Sequence, residues 1–173
     1  MFTRLLVGLD GSPHGDAALE QAVVLGHRFH SALVVATVVE RDGTTQAEAA
    51  TLLERARFRV AGAGLDVEAL QREGAPDLIL AELAQDVDAA VVGRRGVQTE
   101  RAGPFALGRT AASLIQVAER CVVVCGGAPS PMRACAVAFD GRNRRALELA
   151  ARFASVAGST VDRKSTRLNS SHS

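Results

Sequence analysis

Tryptophan and tyrosine are absent from this chain of 173 residues, which holds six phenylalanines. An interior almost without large aromatic rings must be built from Ala, Val and Leu, a composition typical of layered α/β packing. An apolar run of about 18 residues is also absent, as is a basic-then-apolar leader, so we expect neither membrane spanning nor secretion. The expected location is the cytoplasm.

Charge of one sign is equally lacking, because 20 Lys and Arg residues face 19 Asp and Glu residues, for a net charge of +1. No global field therefore favours nucleic acid, a membrane or an acidic substrate as a partner. The cysteines Cys121, Cys125 and Cys135 lie in apolar segments without C-x-x-C spacing or a matching His cluster. We expect buried, reduced thiols and no metal site.

Catalytic signatures are missing as well. The chain has no paired acids at a strand end, no G-x-S-x-G elbow, no H-E-x-x-H and no Walker A pattern. His14, His27 and His30 lie on or near the first predicted helix without a Cys or carboxylate partner at ligand spacing, which favours surface or packing roles. We therefore do not expect an enzyme.

What the chain does contain is a strict alternation of apolar strands and amphipathic helices. The predicted strands are Leu5–Leu9, Ala32–Val39, Asp66–Gln71, Ala89–Val92 and Cys121–Cys125. Helical spacing of apolar residues runs from Ala18 to about His30, from Ala49 to Val60, from Leu78 to Leu83 and from Gly108 to Glu119. This alternation predicts a doubly wound, Rossmann-like parallel sheet with helices on both faces. Ligands of such sheets bind at the carboxyl ends of the strands, where the strand order switches.

The strongest functional signal is a glycine loop after the fourth predicted strand. Residues 91–96 read Val-Val-Gly-Arg-Arg-Gly, and eleven residues separate Gly96 from Gly108 at the start of the next helix. Glycines let backbone N–H groups approach an anion, and the first turn of a helix offers unpaired N–H groups and a favourable dipole. The sequence therefore predicts a phosphate site that includes Gly93, Gly96 and Gly108; glycines that only turn the chain are the alternative.

An internal repeat follows the fifth predicted strand. Residues 136–141 and 146–150 echo residues 9–11 and 18–22, with a loop two residues shorter. We therefore predict a truncated second domain at 133–161 that stops after one strand and one helix. A β-α unit of this size cannot bury its apolar faces alone, so we expect it to dock on the first domain or to stay loose.

The segments on either side of this second copy differ in character. Residues 127–132, which hold Pro129 and Pro131, are predicted to be an interdomain linker. Residues 162–173 are polar and aperiodic and resemble the translation of a sequencing adapter, so we interpret them as a non-native tail; a disordered basic tail is the alternative. This tail holds three basic residues and one acid, so the net charge without it is −1.

These features together resemble the universal stress protein family. The first domain is predicted at 1–126, where residues 3–126 carry an apolar strand ending in Asp-Gly-Ser, five β-α steps, the Asp-Leu-Ile and Val-Val-Gly segments and the glycine loop. Residues 133–161 look like the start of a second such domain, so a tandem organisation is expected. The resemblance implies a sheet of order 3-2-1-4-5. It also implies pairing with a second domain or in a homodimer through the last strand, Cys121 to Cys125.

The nucleotide-binding class of this family holds ATP with an aspartate after the first strand, a backbone contact at the end of the second strand and a G-x-x-G-x(9)-G-[ST] loop. By position, the resemblance implies that the ligand contacts are Asp10, Val38, Gly93, Gly96 and Gly108. An Asp before Gly-Ser-Pro also fits an ordinary turn or helix cap, and both interpretations of Asp10 stay open. The implied ligand is ATP, with Mg²⁺, or a related adenine nucleotide that regulates a stress response.

Two departures from the family loop bear on this interpretation. Eleven residues rather than nine precede Gly108, and Arg109 occupies the place of the hydroxyl residue. Thr110 offers a hydroxyl one position later, and Arg94, Arg95 or Arg109 would neutralise phosphate charge. A solvated loop is the alternative for Arg94 and Arg95. The alternative function is a nucleotide-free interaction domain that acts by pairing.

A dinucleotide-binding enzyme is another α/β protein with this alternation of strands and helices. Glu40 ends the second predicted strand, where a ribose-binding acid would be expected. Gly8, Gly11 and Gly15, however, are not spaced as G-x-G-x-x-G. The first loop therefore does not favour a dinucleotide.

Overall fold

The chain forms two compact units, Met1–Pro129 and Ser130–Ser173. The computed structural model describes residues 2–40, 43–97, 106–118, 120–130, 134–139, 144–157 and 160–165. Within these ranges, no helix reaches the length and apolarity that crossing a bilayer requires.

The first unit is built around a five-stranded parallel sheet of order β3-β2-β1-β4-β5. Its elements are β1 (Arg4–Leu9), α1 (Pro13–Phe29), β2 (Ala32–Val39), α2 (Gln46–Gly62), β3 (Val67–Glu73), α3 (Pro76–Leu83), β4 (Ala89–Gly93), α4 (Arg109–Val117) and β5 (Cys121–Cys125). A short 3-10 helix, Ala84–Asp86, follows α3. The predicted fold class and the strand order implied by the family resemblance are both confirmed.

Side-chain alternation along the strands divides the core into two layers, one on each face of the sheet. On one face, strand residues such as Leu6 and Val34 pack with Leu80 of α3 and Leu114 of α4. The alternate strand residues are also buried, among them Leu5, Val7, Leu33, Val35 and Val91. Helix α1 packs mainly against β1 and β4, and helix α2 packs against β2 and the edge strand β3. The sheet is therefore covered on both faces, as the sequence predicts.

Two helices of the first unit begin with side-chain caps. At α1, Ser12 Oγ accepts a hydrogen bond of 3.0 Å from the Gly15 N–H. At α2, Thr45 and Glu48 form a capping box in which each side chain accepts from the backbone N–H of the other. A cap of this kind stabilises a helix by about 1 kcal/mol. The caps therefore fix where these helices start.

The amino ends of β1 and β4 are joined by Asp88. Its Oδ2 accepts hydrogen bonds from the Thr3 N–H (2.7 Å), the Thr3 hydroxyl (2.9 Å) and the Arg4 N–H (3.1 Å). Desolvation raises the pKa of this carboxyl, but the hydrogen bonds from Thr3 and Arg4 outweigh that effect and hold the pKa below its ordinary value. Asp88 is therefore ionised and structural.

Several boundaries differ from the predictions because capping and packing outweigh apolar spacing. Helix α2 begins at Gln46 rather than Ala49, since the capping box sets its start. Helix α4 ends at Val117 rather than at the predicted Glu119, and its Ile115 is 51% exposed although Ala111 and Leu114 of the same helix are buried. The edge strand β3 is only partly buried, although all strands were predicted to be buried.

The second unit is a parallel β-α-β unit made of β6 (Ala134–Phe139), α5 (Arg144–Ala157) and β7 (Thr160–Ser165). The predicted second copy stopped after one strand and one helix, so β7 is a difference from the sequence analysis. The last four residues of β7, 162–165, belong to the segment interpreted as a non-native tail. Backbone pairing with β6 makes this strand possible, because ladder hydrogen bonds do not require apolar side chains.

Candidate functional site

A cleft of about 790 Å³ opens at the carboxyl ends of β1, β2 and β4. Strand β1 lies at the switch point of the sheet, because it pairs with β2 on one side and with β4 on the other. Pairing of β1 with β2 ends at Leu9 and Thr37, whereas β2 pairs with β3 as far as Val39. The predicted residues that line the cleft are Asp10, Val38, Gly93, Arg95, Gly96, Gly108, Arg109 and Thr110.

The start of α4 forms one wall of this cleft. Gly108 is the N-cap residue, with φ −69° and ψ 158°, and no side chain of the described residues caps the helix there. Gly108, Arg109, Thr110 and Ala111 all line the cleft. Since the first N–H groups of a helix have no partner within it, the positive end of the α4 dipole faces the cavity. Such a wall favours an anion.

Arg94 acts through its backbone and not through its side chain. Its N–H donates to the Cys125 carbonyl and its carbonyl accepts from the Gly108 N–H, both at 2.7 Å. A Cβ built at Gly126 would lie 3.2 Å from Arg94 Nε, so the guanidinium extends toward the end of β5. Arg94 is not among the residues that line the cleft. The structure therefore does not bring the predicted Arg94 side chain to the site.

An ion pair crosses the cleft. Arg109 Nη2 at the start of α4 lies 3.5 Å from Glu40 Oε1 at the end of β2. The Arg109 side chain is 67% exposed, and the Glu40 side chain is 29% exposed. The pair therefore joins the helix wall of the cleft to its strand wall, in a position open to solvent.

Asp10 connects the two loops that frame the cleft. Its Oδ1 accepts from the Ser12 N–H at 3.0 Å, and its Oδ2 accepts from the Val97 N–H at 3.2 Å. The Ser12 hydroxyl also donates to the Arg95 carbonyl at 3.3 Å. These hydrogen bonds place Asp10 in a turn role, which is one of the two interpretations that the sequence leaves open. A ligand contact of Asp10 stays a prediction.

The loop glycines allow close packing of the two loops. A Cβ on Gly93 would lie 2.7 Å from the carbonyl carbon of His14 and 2.9 Å from the Gly15 nitrogen. A Cβ on Gly96 would lie 2.6 Å from Asp10 Oδ2. The backbone of the first loop therefore requires a glycine at Gly93, whereas the close contact at Gly96 is with the Asp10 side chain. The sequence analysis did not predict either contact.

The start of α2 also lines the cleft, although the sequence analysis did not predict it. Ala47 and Glu48 belong to this wall, together with Thr44 and Thr51. Hydrogen bonds from the N–H and hydroxyl of Thr45 lower the pKa of Glu48. The Thr-x-x-Glu pattern of a capping box was the signal that would have found this helix start.

The thiols do not belong to the cleft. Cys125 is buried, Cys121 is partly buried and both are free. Burial raises the pKa of each thiol to about 11, so both stay protonated near neutral pH. The Cys135 side chain lies outside the described residues. Across the described part of the chain, no group of three or more His, Cys, Asp or Glu residues is placed to hold a metal.

A parallel sheet of this strand order, with a cleft at its switch point, defines an α/β protein of the Rossmann-like class. A match to a family model identifies the family within this fold class. Residues 1–126 match the universal stress protein family, and the chain belongs to that family.

Solved structures share the fold. Universal stress protein UspA from Lactobacillus plantarum is 24% identical, with 72% of this chain and 97% of that chain covered and a TM-score of 0.62. A universal stress protein from Archaeoglobus fulgidus DSM 4304 is 16% identical, with 97% and 68% covered and a TM-score of 0.80. The universal stress protein from Archaeoglobus fulgidus in complex with dAMP is 17% identical, with 72% and 98% covered and a TM-score of 0.57. No curated protein matches the chain.

Proposed function

We propose that the first unit binds ATP or a related adenine nucleotide as a regulatory ligand in a cytoplasmic stress response. The observation that carries the proposal is the convergence of the Gly108 helix start with Arg95 and Arg109 in one cleft at the switch point. Helix N-termini and guanidinium groups both favour phosphate. The dAMP complex of the Archaeoglobus fulgidus protein supports the proposal, since that protein has the same fold.

The cleft suits the size and the chemistry of a nucleotide. Its volume of about 790 Å³ falls within the roughly 300–1,000 Å³ of ligand pockets. The phosphates would lie between the 93–96 loop and the α4 start, and the base would lie near Val38, which is 6% exposed. Mg²⁺ would enter with ATP and be held mainly by the phosphates, as is usual for this ion.

The helix wall provides the sharpest test, through Thr110→Asp and Thr110→Asn. Thr110 is the second residue of α4 and lines the cleft. The two variants have nearly the same shape, but the Asp variant places a negative charge where the phosphate would bind. An acid in the first turn also favours the helix by about 0.3–1 kcal/mol. We therefore expect Thr110→Asp to retain stability yet bind ATP at least ~10-fold more weakly than Thr110→Asn, a change of about 1.4 kcal/mol.

The measurement is equilibrium binding of ATP to the full chain, with and without magnesium. Binding by the wild type should be saturable and tighter than ~100 µM, which corresponds to about 5.5 kcal/mol. Arg57→Gln, a charge change on an exposed residue of α2 outside the cleft, serves as a control. No saturable binding by a folded wild type, or equal affinities of the two Thr110 variants, would contradict the proposal.

The alternative is a nucleotide-free domain that acts by pairing, and one observation favours it. Strand β5 is the last strand of its sheet, and Ile115 and Val117 on the preceding helix are 51% and 57% exposed. An edge strand offers unpaired N–H and C=O groups to a second copy or a second domain of a tandem protein. Sedimentation should then show a dimer, with β5 amides more protected from hydrogen exchange at higher concentration. A monomer at all concentrations would exclude homodimer pairing.

A further inference from the structure

Three carboxylates are found among the described residues that line the cleft, and their hydrogen bonds differ. Asp10 uses both oxygens to accept N–H groups of Ser12 and Val97. Glu48 accepts from the N–H and the hydroxyl of Thr45, each at 2.8 Å. The framework of the cleft therefore uses both oxygens of Asp10 and the Oε2 oxygen of Glu48.

Glu40 is the carboxylate that stays available. Its polar contact in the described structure is the 3.5 Å ion pair with Arg109, a distance too long for a strong hydrogen bond. It follows Val39, the last residue of β2, at a position beyond the last residue pair of β1 with β2. Its acceptor oxygens therefore face a cleft rather than a neighbouring strand.

The position of Glu40 matches the sugar of the proposed ligand. With phosphates at the α4 start and a base beside Val38, the sugar lies between Arg109 and the end of β2. In dinucleotide-binding α/β sheets, a carboxylate at the end of the second strand accepts a hydrogen bond from the ribose 2′-hydroxyl. Glu40 holds the same strand position here and lines the cleft, while the phosphates of the proposed ligand lie at the loop after β4 instead of the loop after β1. Two acceptor oxygens suit two neighbouring hydroxyls, and 2′-deoxyribose lacks one of them.

We propose that Glu40 recognises the ribose hydroxyls and makes the cleft selective for ribonucleotides over 2′-deoxyribonucleotides. This inference rests on the proposed nucleotide function. Asp10 is then a positioning residue, which holds the 95–97 backbone without contacting the sugar. A site that hydrogen-bonds a hydroxyl discriminates strongly against a ligand that lacks it, because its own polar group is left unpaired.

The test compares the affinities of the full chain for AMP and 2′-deoxy-AMP in wild type, Glu40→Gln and Glu48→Gln. Both ligands carry the same base and phosphate, so the ratio of their affinities isolates the 2′-hydroxyl and cancels any change in phosphate attraction. We expect wild type to prefer AMP by about 10-fold or more. Glu40→Gln replaces a charged acceptor by a weaker neutral one and should lower this ratio toward one.

Glu48→Gln is the matched control, because it removes the same charge from the same cleft and Gln also completes a capping box. It should keep the wild-type ratio. Asp10→Asn should weaken both ligands by the same factor and leave the ratio unchanged. Thermal unfolding of each variant tests whether its fold is retained. The ratio of the wild-type affinities for AMP and 2′-deoxy-AMP tests the proposal even if a variant fails to fold.

Three outcomes would overturn the inference while the proposed function stands: equal wild-type affinities for the two ligands, an unchanged ratio in Glu40→Gln, or a ratio near one in Asp10→Asn. Absence of binding of AMP, 2′-deoxy-AMP and ATP by the folded wild type would overturn the proposed function and this inference together. If ATP binds and AMP does not, ATP and 2′-deoxy-ATP give the same ratio.

Discussion

The strand pair β1 and β4 is joined at each end by one aspartate, and the two ends differ in what surrounds that residue. At the amino end, Asp88 accepts three hydrogen bonds through one oxygen, all from Thr3 and Arg4 at the start of β1. At the carboxyl end, Asp10 accepts one hydrogen bond through each oxygen, from two different loops. The two loops at the carboxyl end frame the cleft.

This difference shows what an aspartate beside a strand can and cannot indicate. Both carboxylates satisfy backbone N–H groups that would otherwise lack partners, and at the amino end Asp88 accepts from the Thr3 hydroxyl as well and does not line the cleft. At the carboxyl end the same chemistry is combined with an open cavity. The position of a carboxylate beside a strand therefore does not by itself identify a ligand contact. The hydrogen bonds that its oxygens already accept within the protein decide whether it has an acceptor left for a ligand.

The largest expected effect comes from Gly93→Ala, which would disrupt the packing of the two loops at the carboxyl end of β1 and β4 and leave the amino end unchanged. Its Cβ would lie 2.7 Å from the His14 backbone, and overpacking of this kind costs about 3 kcal/mol of unfolding free energy. Gly62→Ala is the control, because a Cβ there has no atom within 4 Å; helix propensity alone should make it neutral or stabilising by up to about 1 kcal/mol. Urea unfolding measures both. Equal stabilities would show that the two loops do not need their close contact. Because Gly93 is required by the fold, substitutions there cannot serve as tests of ligand binding.

A smaller effect is expected from Asp88→Asn, which weakens the amino end. Loss of the charge from a group with three donors should lower the unfolding free energy by about 1–2 kcal/mol at neutral pH. Hydrogen bonds hold the pKa of Asp88 below its ordinary value in the folded state. The charge therefore stabilises the fold above the unfolded pKa of about 3.9, and this contribution is lost as the pH falls through the lower folded value.

The measurement is the difference in unfolding free energy between wild type and Asp88→Asn at several pH values. It should be constant near pH 6–7 and shrink below about pH 4, where the wild type begins to bind a proton. A difference that grew on acidification would contradict the assigned hydrogen bonds.

The smallest expected effect compares one buried hydroxyl at each end. Ser31, near the start of β2, is 3% exposed and donates to the Phe2 carbonyl at 2.6 Å. Thr37, near the end of β2, is fully buried, and its hydroxyl has no hydrogen-bond partner among the described residues. Thr37→Val should therefore stabilise the chain by about 1 kcal/mol, whereas Ser31→Ala should destabilise it by about 1 kcal/mol. Thermal unfolding gives both signs, and destabilisation by Thr37→Val would show that its hydroxyl is satisfied.

The parts of the fold that follow from composition were predictable. The bounds of β2 and β5 match the predicted strands, because polar residues or glycine on either side of a run of Val and other apolar residues leave little choice of where each strand begins and ends. The carboxyl edge of the sheet was also predictable, since the alternation of strands and helices predicts parallel strands; the order of the strands was implied by the family resemblance. Asp10 and Gly93 were therefore assigned to the correct edge of the sheet.

The parts that depend on backbone direction were not predictable. Arg94 and Arg95 are adjacent, yet only Arg95 lines the cleft, because the backbone of the loop sets which way each side chain extends. Nor does the local sequence show that the oxygens of Asp10 are occupied, since one donor is Val97, far along the chain. The strand β7 depends on pairing with β6, which side-chain periodicity does not reveal.

The anchoring of the glycine loop gives its length a specific meaning. The Val97 N–H is held by Asp10 and the Gly108 N–H by the Arg94 carbonyl, so the span between them starts and finishes at fixed points. Lengthening this span from the nine residues of the family pattern to eleven costs only ~0.2 kcal/mol in loop-closure entropy. The two additional residues therefore add little to the free energy of closing the chain between its two anchors.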